Sequence, residues 1–218
     1  NFLYAPQLTP ALVREALDQW PDTPGTGWPS WAFENHDAPR ALTRWCPQGD
    51  RDAFARMKML LLAALRGNII IYQGEELGLT QVDIPFEMLH DPEAIANWPL
   101  TLSRDGARTP MPWLADAPDA GFGSAEPWLP VGAENAARAV DRQGGDPASL
   151  LNHTRAMLAL RKAHPALQHG AVANCRAEGD LLVLERSGGG ETLRVLANFS
   201  KETMMLDEGL SAGDVVAS

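Results

Sequence analysis

Two short stretches carry residues whose types and placement could do chemistry. Asn35-His36-Asp37 directly follows Ser30-Trp31-Ala32-Phe33-Glu34, which reads as a short strand. Gln73-Gly74-Glu75-Glu76 directly follows Asn68-Ile69-Ile70-Ile71-Tyr72, an unbroken β-branched run of the kind found in a parallel strand covered on both faces. In a parallel α/β structure ligands bind at the C-terminal ends of strands, so an imidazole and carboxylates placed there are candidates for acting on a ligand. Taken singly, each stretch has a plainer reading. Asn-His-Asp can be a turn that satisfies loop amides, and Glu75-Glu76 can open a solvated loop or supply a buried structural carboxylate.

The elements that must position these residues are legible around them. Thr9-Pro10 is a helix start, with Thr as N-cap and Pro at the first helical position; Leu12, Ala16, Leu17 and Trp20 form its apolar face and Pro21 stops it. A turn-rich stretch leads to the first strand. The next helix begins near Asp50, repeats Phe54, Met57, Leu61 and Leu65 at helical spacing, and stops at Gly67. The order helix, strand, helix, strand is α/β in class.

Residues 78–146 are rich in Pro, Gly, Asp and Trp, with short helical hints at Asp91 to Asn97 and Glu134 to Val140. A loop this long in a compact structure is usually functional. Its Trp98, Trp113, Phe122 and Trp128 are expected to need burial. A further helix is expected from Asp146 as N-cap and Pro147 at its first position to His164-Pro165. Ala171 to Cys175, Leu181 to Glu185 and Leu193 to Asn198 then read as antiparallel strands joined by hairpin turns at 178–180 and 187–190. Val215-Val216 reads as a further strand.

The balance of 28 Asp+Glu against 18 Lys+Arg gives a formal net charge of −10, which argues against nucleic acid or an anionic membrane as the main partner. At 45% apolar residues the chain is globular, and no stretch approaches the roughly 20 apolar residues of a membrane helix. Cys46 and Cys175 read as unpaired thiols of a reducing compartment, with a disulfide as the alternative. The sequence opens Asn1-Phe2-Leu3-Tyr4 rather than with Met, it contains no targeting signal, and the natural N-terminus is not visible; the expected setting is cytoplasmic. His90, His153, His164 and His169 read as surface or helix-end residues, and no cluster suggests a metal site.

Three motifs in order tie these features together. They are Phe33-Glu34-Asn35-His36-Asp37-Ala38-Pro39-Arg40, Gly67 to Glu76 with its Tyr-Gln-Gly-Glu-Glu, and Ser103-Arg104-Asp105-Gly106-Ala107-Arg108-Thr109-Pro110-Met111-Pro112-Trp113. Together they closely resemble the α-amylase superfamily, glycoside hydrolase family 13, in its α-glucosidase and oligo-1,6-glucosidase branch. Leu158 to Leu167 resembles that family's last barrel helix and the entry to its C-terminal β domain.

The resemblance implies an α/β plus all-β fold: the C-terminal portion of a (β/α)₈ barrel over residues 1–166, then a small antiparallel β-sandwich over 167–218. A whole barrel takes about 250 residues, so the chain is expected to be incomplete at both ends. It implies a retaining α-glucosidase acting on α-1,4 or α-1,6 bonds at the non-reducing end of short oligosaccharides. Such enzymes use a nucleophile and an acid/base carboxyl about 5–5.5 Å apart. Neither is expected in this segment, which alone should hydrolyse nothing. Asp37 matches the family's transition-state-stabilising carboxylate, and His36 a histidine that donates to the same sugar. Arg104 matches an arginine that reaches the terminal glucose; its other reading is an ion pair with Asp105 or another loop acid. Arg40 either orients the Asp37 carboxylate or lines the aglycone side. Glu75 and Glu76 hold the base of the pocket. Trp98, Trp113 and Trp128 form a stacking platform or anchor the long loop.

No cofactor is required; the family often binds calcium, usually outside this segment. The partner is a small oligosaccharide, with no nucleic acid and no membrane. The alternatives are a glucosyl-transferring or isomerising relative of sucrose or trehalose type, and a non-catalytic glycosidase-like protein.

Overall fold

The computed structural model describes residues 2–23, 25 and 27–205. Helix α1 (Pro10–Asp18) starts as its residues dictate, with the Thr9 hydroxyl accepting from Leu12 N at 3.1 Å. Strand β1 (Ser30–Ala32) follows, then a short helix α2 (Ala41–Trp45) and helix α3 (Arg51–Ala64). The Asp50 carboxylate caps α3 by accepting from Asp52 N and Ala53 N. Strand β2 (Asn68–Ile70) lies parallel to β1, Trp31 opposite Ile69. This is one β-α-β unit. The long connection after it holds α4 (Pro92–Ala96), α5 (Ala133–Ala136) and α6 (Val140–Gly144). Helix α7 (Leu150–Ala163) packs along α3, and α8 (Pro165–Gln168) leads into β3 (Ala171–Glu178), β4 (Leu181–Gly188) and β5 (Glu191–Asn198), one antiparallel sheet in that order.

One core joins the two parts. Val13, Ala16 and Leu17 of α1 and Leu61, Leu62 and Leu65 around α3 are clustered with Leu182, Leu184 and Ala197 of the antiparallel sheet. Two arginines strengthen the junction. Arg161 of α7 donates to the carbonyls of Ala63 (2.6 Å), Leu65 (2.9 Å) and Gly67, and Arg186 of β4 to those of Ala64 and Gly170. They satisfy the carbonyls that the end of α3 leaves without intrahelical partners, and place cations at its negative pole. Arg186 is fully buried; burial first, then the nearby Arg161 and Arg66, push its pKa down to about 10.

Several expectations are corrected. β2 is not covered on both faces: Ile70 is 53% exposed, because among the described residues β1 is its only strand neighbour and the face it presents is open. The long-loop aromatics are half-exposed rather than buried, from 44% at Trp98 to 51% at Trp128, because they pack along the surface, Trp98 on Phe86 and Trp128 on His90. Helix α7 is capped by Ser149, not Asp146; the Asp146 side chain instead closes a turn onto Ala148 N. His153 is half-buried, its ring nitrogen 3.1 Å from the Arg56 carbonyl. The β part is one three-stranded sheet among the described residues, and Val215-Val216 lies outside them. Cys46 and Cys175 are free. No helix among the described residues is long and apolar enough to cross a membrane.

Gly67 turns the chain from α3 into β2 at φ +134°, and a Cβ there would stand 2.5 Å from the Pro29 carbonyl and 2.8 Å from the Trp31 indole nitrogen. Both atoms are committed: Pro29 O accepts from Asn68 N, and the Trp31 indole donates to Arg66 O at 2.6 Å. Gly67→Ala is therefore expected to cost about 1–3 kcal/mol in urea unfolding, and a loss below about 0.5 kcal/mol would show that the turn relaxes freely.

Candidate active site

Beneath the C-terminal ends of β1 and β2 lies a closed set of four charges. Glu34, at the end of β1, accepts from Lys58 Nζ of α3 (3.2 Å) and from Arg40 Nη1 (3.1 Å). Glu75, after β2, accepts from the same ammonium at 2.6 Å and from Tyr72 N at 3.1 Å. All four side chains are at most 1% exposed. Burial disfavours each charge, and the partners decide the outcome. Lys58 is held above the ordinary lysine value because Glu75 and then Glu34 outweigh its burial. Glu34 is held below the ordinary value because Lys58 and Arg40 together outweigh its burial. Glu75 shares only Lys58, so burial pushes it up.

Arg40 also donates to the Gln73 carbonyl (2.7 Å) and the Ala107 carbonyl (3.1 Å), and lies over the Tyr72 ring at 4.6 Å. One guanidinium thereby ties together the loop after β1, the loop after β2 and the segment around Arg104. This corrects the expectation for Arg40. At 1% exposure it lies under the site and neither orients the Asp37 carboxylate nor lines an aglycone path. Glu75 holds the base together, as expected.

Above this base the chain between Glu34 and Arg40 presents His36 and Asp37. The Asn35 side-chain oxygen accepts from Asp37 N (3.0 Å) and Ala38 N (2.9 Å), the local turn that Asn favours, and it fixes where Asp37 leaves the backbone. The amide-satisfying turn and the presentation of a carboxylate are thus the same structure. Asp37 remains 37% exposed and His36 64%, with His36 Nε2 at 3.3 Å from Asp37 Oδ2. Arg104 comes within 3.8 Å of Asp37 Oδ1 through Nη1. Its Nε (3.0 Å) and Nη2 are taken by Asp91, so its loop acid is Asp91 and not Asp105. The Asp105 carboxylate instead accepts from His90 N and Asp91 N. Hydrogen bonds from the Arg104 side chain hold the Asp91 carboxyl well below the usual carboxylate range, and the pairing in turn raises Arg104.

The structure brings His36, Asp37 and Arg104 together on one open face. A fourth member was not singled out from the sequence: Arg108 donates from Nη2 to Asp37 Oδ1 at 3.0 Å and from Nε to the His36 carbonyl at 2.8 Å. Its signal was its place four residues after Arg104 in the same motif. Lys58 was also missed as a partner; a lysine inside an otherwise apolar helical run demands a buried acid. Trp98 borders a cavity of about 210 Å³ with Gln81, Asp83, Thr101 and Ser103 beside the Arg104 segment. Among the described residues no group of three or more His, Cys, Asp or Glu side chains is set to hold a metal ion.

A parallel β-α-β unit with polar side chains gathered beyond its strand ends is α/β in class, the arrangement in which ligands bind at the C-terminal ends of strands. The chain belongs to the alpha-amylase family: residues 5–170 match the alpha amylase catalytic domain. It is 46% identical over 203 residues to a probable alpha-glucosidase of Rhizobium meliloti (strain 1021), covering 93% of this chain and 37% of that protein. It is 33% identical to a probable oligo-1,6-glucosidase 2 of Bacillus subtilis (strain 168), covering 88% and 38%. Among solved structures it is similar to the alpha-glucosyl transfer enzyme XgtA, with a TM-score of 0.85 at 44% identity over 91% of this chain and 37% of that one. The trehalulose synthase MutB of Pseudomonas mesoacidophila MX-45 gives a TM-score of 0.75 at 30% identity over 88% and 38%. The chain thus spans under two fifths of the length of these relatives.

Replacing Lys58 by Met leaves two buried carboxylates without their shared cation. Lys58→Met is expected to cost about 3–5 kcal/mol in urea unfolding at pH 7. The lowered Glu34 contributes stability present above its ordinary value of 4.5 and lost as the pH falls through its folded value, so the deficit should narrow in acid. A deficit under about 1 kcal/mol at pH 7, or one that widens in acid, contradicts this account.

Proposed function

We propose that the complete protein containing this chain is a retaining α-glucosidase that releases glucose from the non-reducing end of short α-1,4- or α-1,6-linked oligosaccharides. The observation that carries this reading is the half-exposed Asp37 carboxylate, flanked by His36 and Arg104 at the strand ends, in a chain of the alpha-amylase family. Asp37 accepts hydrogen bonds from hydroxyls of the reacting glucose and stabilises the positive charge that develops on its ring. His36 donates to the same sugar. Arg104, held by Asp91, closes the space beyond that glucose and favours cleavage at a chain end. The nucleophile and the acid/base belong to the part of the complete protein outside this chain, which alone releases nothing.

We assign residues 1–166 to the catalytic barrel, with 78–146 as its long loop, and 167–218 to a β-sandwich. Leu181 and Val183 alternate along β4 with Leu182 and Leu184 and are equally buried, which supports layers on both faces of that strand. A soluble cytoplasmic setting fits the two free thiols. The second reading is glucosyl transfer or isomerisation, favoured by the similarity to XgtA and MutB. In that reading a sugar hydroxyl replaces water as acceptor. Product analysis on maltose, isomaltose and sucrose separates the two.

Asp37→Asn in the complete protein is expected to lower kcat on p-nitrophenyl α-glucoside by at least about 10²-fold. Because the side chain is partly exposed and its ion pairs are weak stabilisers, Tm should stay within about 3 °C of wild type. Turnover close to wild type by this variant removes Asp37 from the mechanism.

A further inference from the structure

Asp37 has two arginines beside it, and they are not equivalent. Arg104 has given Nε and Nη2 to Asp91, and its remaining Nη1 stands 3.8 Å from Asp37, beyond hydrogen-bond reach. Arg108 makes the close contact. Its planar guanidinium donates to the side chain of Asp37 (3.0 Å) and to the backbone carbonyl of His36 (2.8 Å). The Asn35 turn fixes the backbone of Asp37 but leaves its carboxylate free to rotate. A rigid fork with one tine on the carboxylate and the other on the preceding peptide removes that freedom.

Arg108 is itself held from below. Its N–H donates to the Asp105 carbonyl at 2.8 Å. The preceding carbonyl, that of Ala107, accepts from Arg40 Nη2 and from the Tyr72 hydroxyl, each at 3.1 Å. The buried charges therefore set the backbone at Arg108, and the Arg108 side chain sets the carboxylate. Arg108 holds Oδ1, while Oδ2 has the largely exposed His36 ring beside it, Nε2 at 3.3 Å.

We propose that Arg108 is a positioning residue that clamps the Asp37 carboxylate in one rotamer, so that Oδ2 is presented to the sugar. This rests on the glucosidase reading and adds a residue to it. A lysine cannot replace the fork, because a single ammonium cannot hold the carboxylate and the peptide carbonyl in one plane.

The test uses the complete protein with p-nitrophenyl α-glucoside. Arg108→Lys is expected to lower kcat by about 10²-fold at unchanged Tm, with KM within about threefold of wild type. Arg108→Ala is expected to lose as much, and about 50 mM guanidinium chloride should restore at least about tenfold of it, whereas sodium chloride at the same concentration should not. Both variants turning over within about threefold of wild type overturn the clamp. So does a loss in Arg108→Ala that guanidinium leaves untouched, since that is the mark of a structural role alone. A wild-type protein that releases no glucose contradicts the glucosidase reading itself, and is told apart by that control.

Discussion

Lys58 reaches from the middle of α3 to two carboxylates at once, and much of the structure follows from the need to keep that contact. A buried ammonium is tolerated only with its charge matched and its hydrogen bonds made. Glu34 and Glu75 meet that need from the ends of two adjacent strands, and Arg40 supplies the second positive charge. The group pairs two acids with two cations, is at most 1% exposed, and is anchored to backbone at Ala41, Tyr72, Gln73 and Ala107. Every loop that contributes a side chain to the open face starts or ends on one of these anchors. The polar floor thus converts the folding of a β-α-β unit into a fixed placement of His36, Asp37, Arg104 and Arg108.

Arginine does related work at the other end of α3. Arg161 and Arg186 come from α7 and β4, and both terminate on carbonyls at that helix end. The antiparallel sheet is joined to the α/β part through these bonds as well as through the apolar core it shares with α1 and α3. One helix therefore carries the site's floor at its middle and the interface with the β part at its end.

The sequence made the main elements legible, because their signals are local. Thr9-Pro10 and Asp50 as caps and the glycine-bearing hairpin turns stand where their residue types dictate, while α3 ends at Ala64, short of the expected stop at Gly67, which instead turns the chain into β2. The site was legible where a motif ends a strand, at His36-Asp37. What escaped was non-local. The choice of Asp91 over Asp105 for Arg104 depends on how a loop folds back, since Asp105 turns its carboxylate to backbone N–H groups. The burial of Arg40 depends on carbonyls 33 and 67 residues away. The half-exposed tryptophans of the long loop were misjudged because an indole can pack along a surface as well as beneath it.

The central claim is that the buried charges place Asp37, with its arginines and histidine, to hold a glucosyl ring. The most direct measurement is a crystal structure of the complete protein with the cationic glucose mimic 1-deoxynojirimycin bound. The account predicts ring hydroxyls within about 3.2 Å of the Asp37 carboxylate and of Arg104, with Arg108 still on Oδ1. A mimic seated elsewhere, or an Asp37 carboxylate that turns away from it to solvent, contradicts the account.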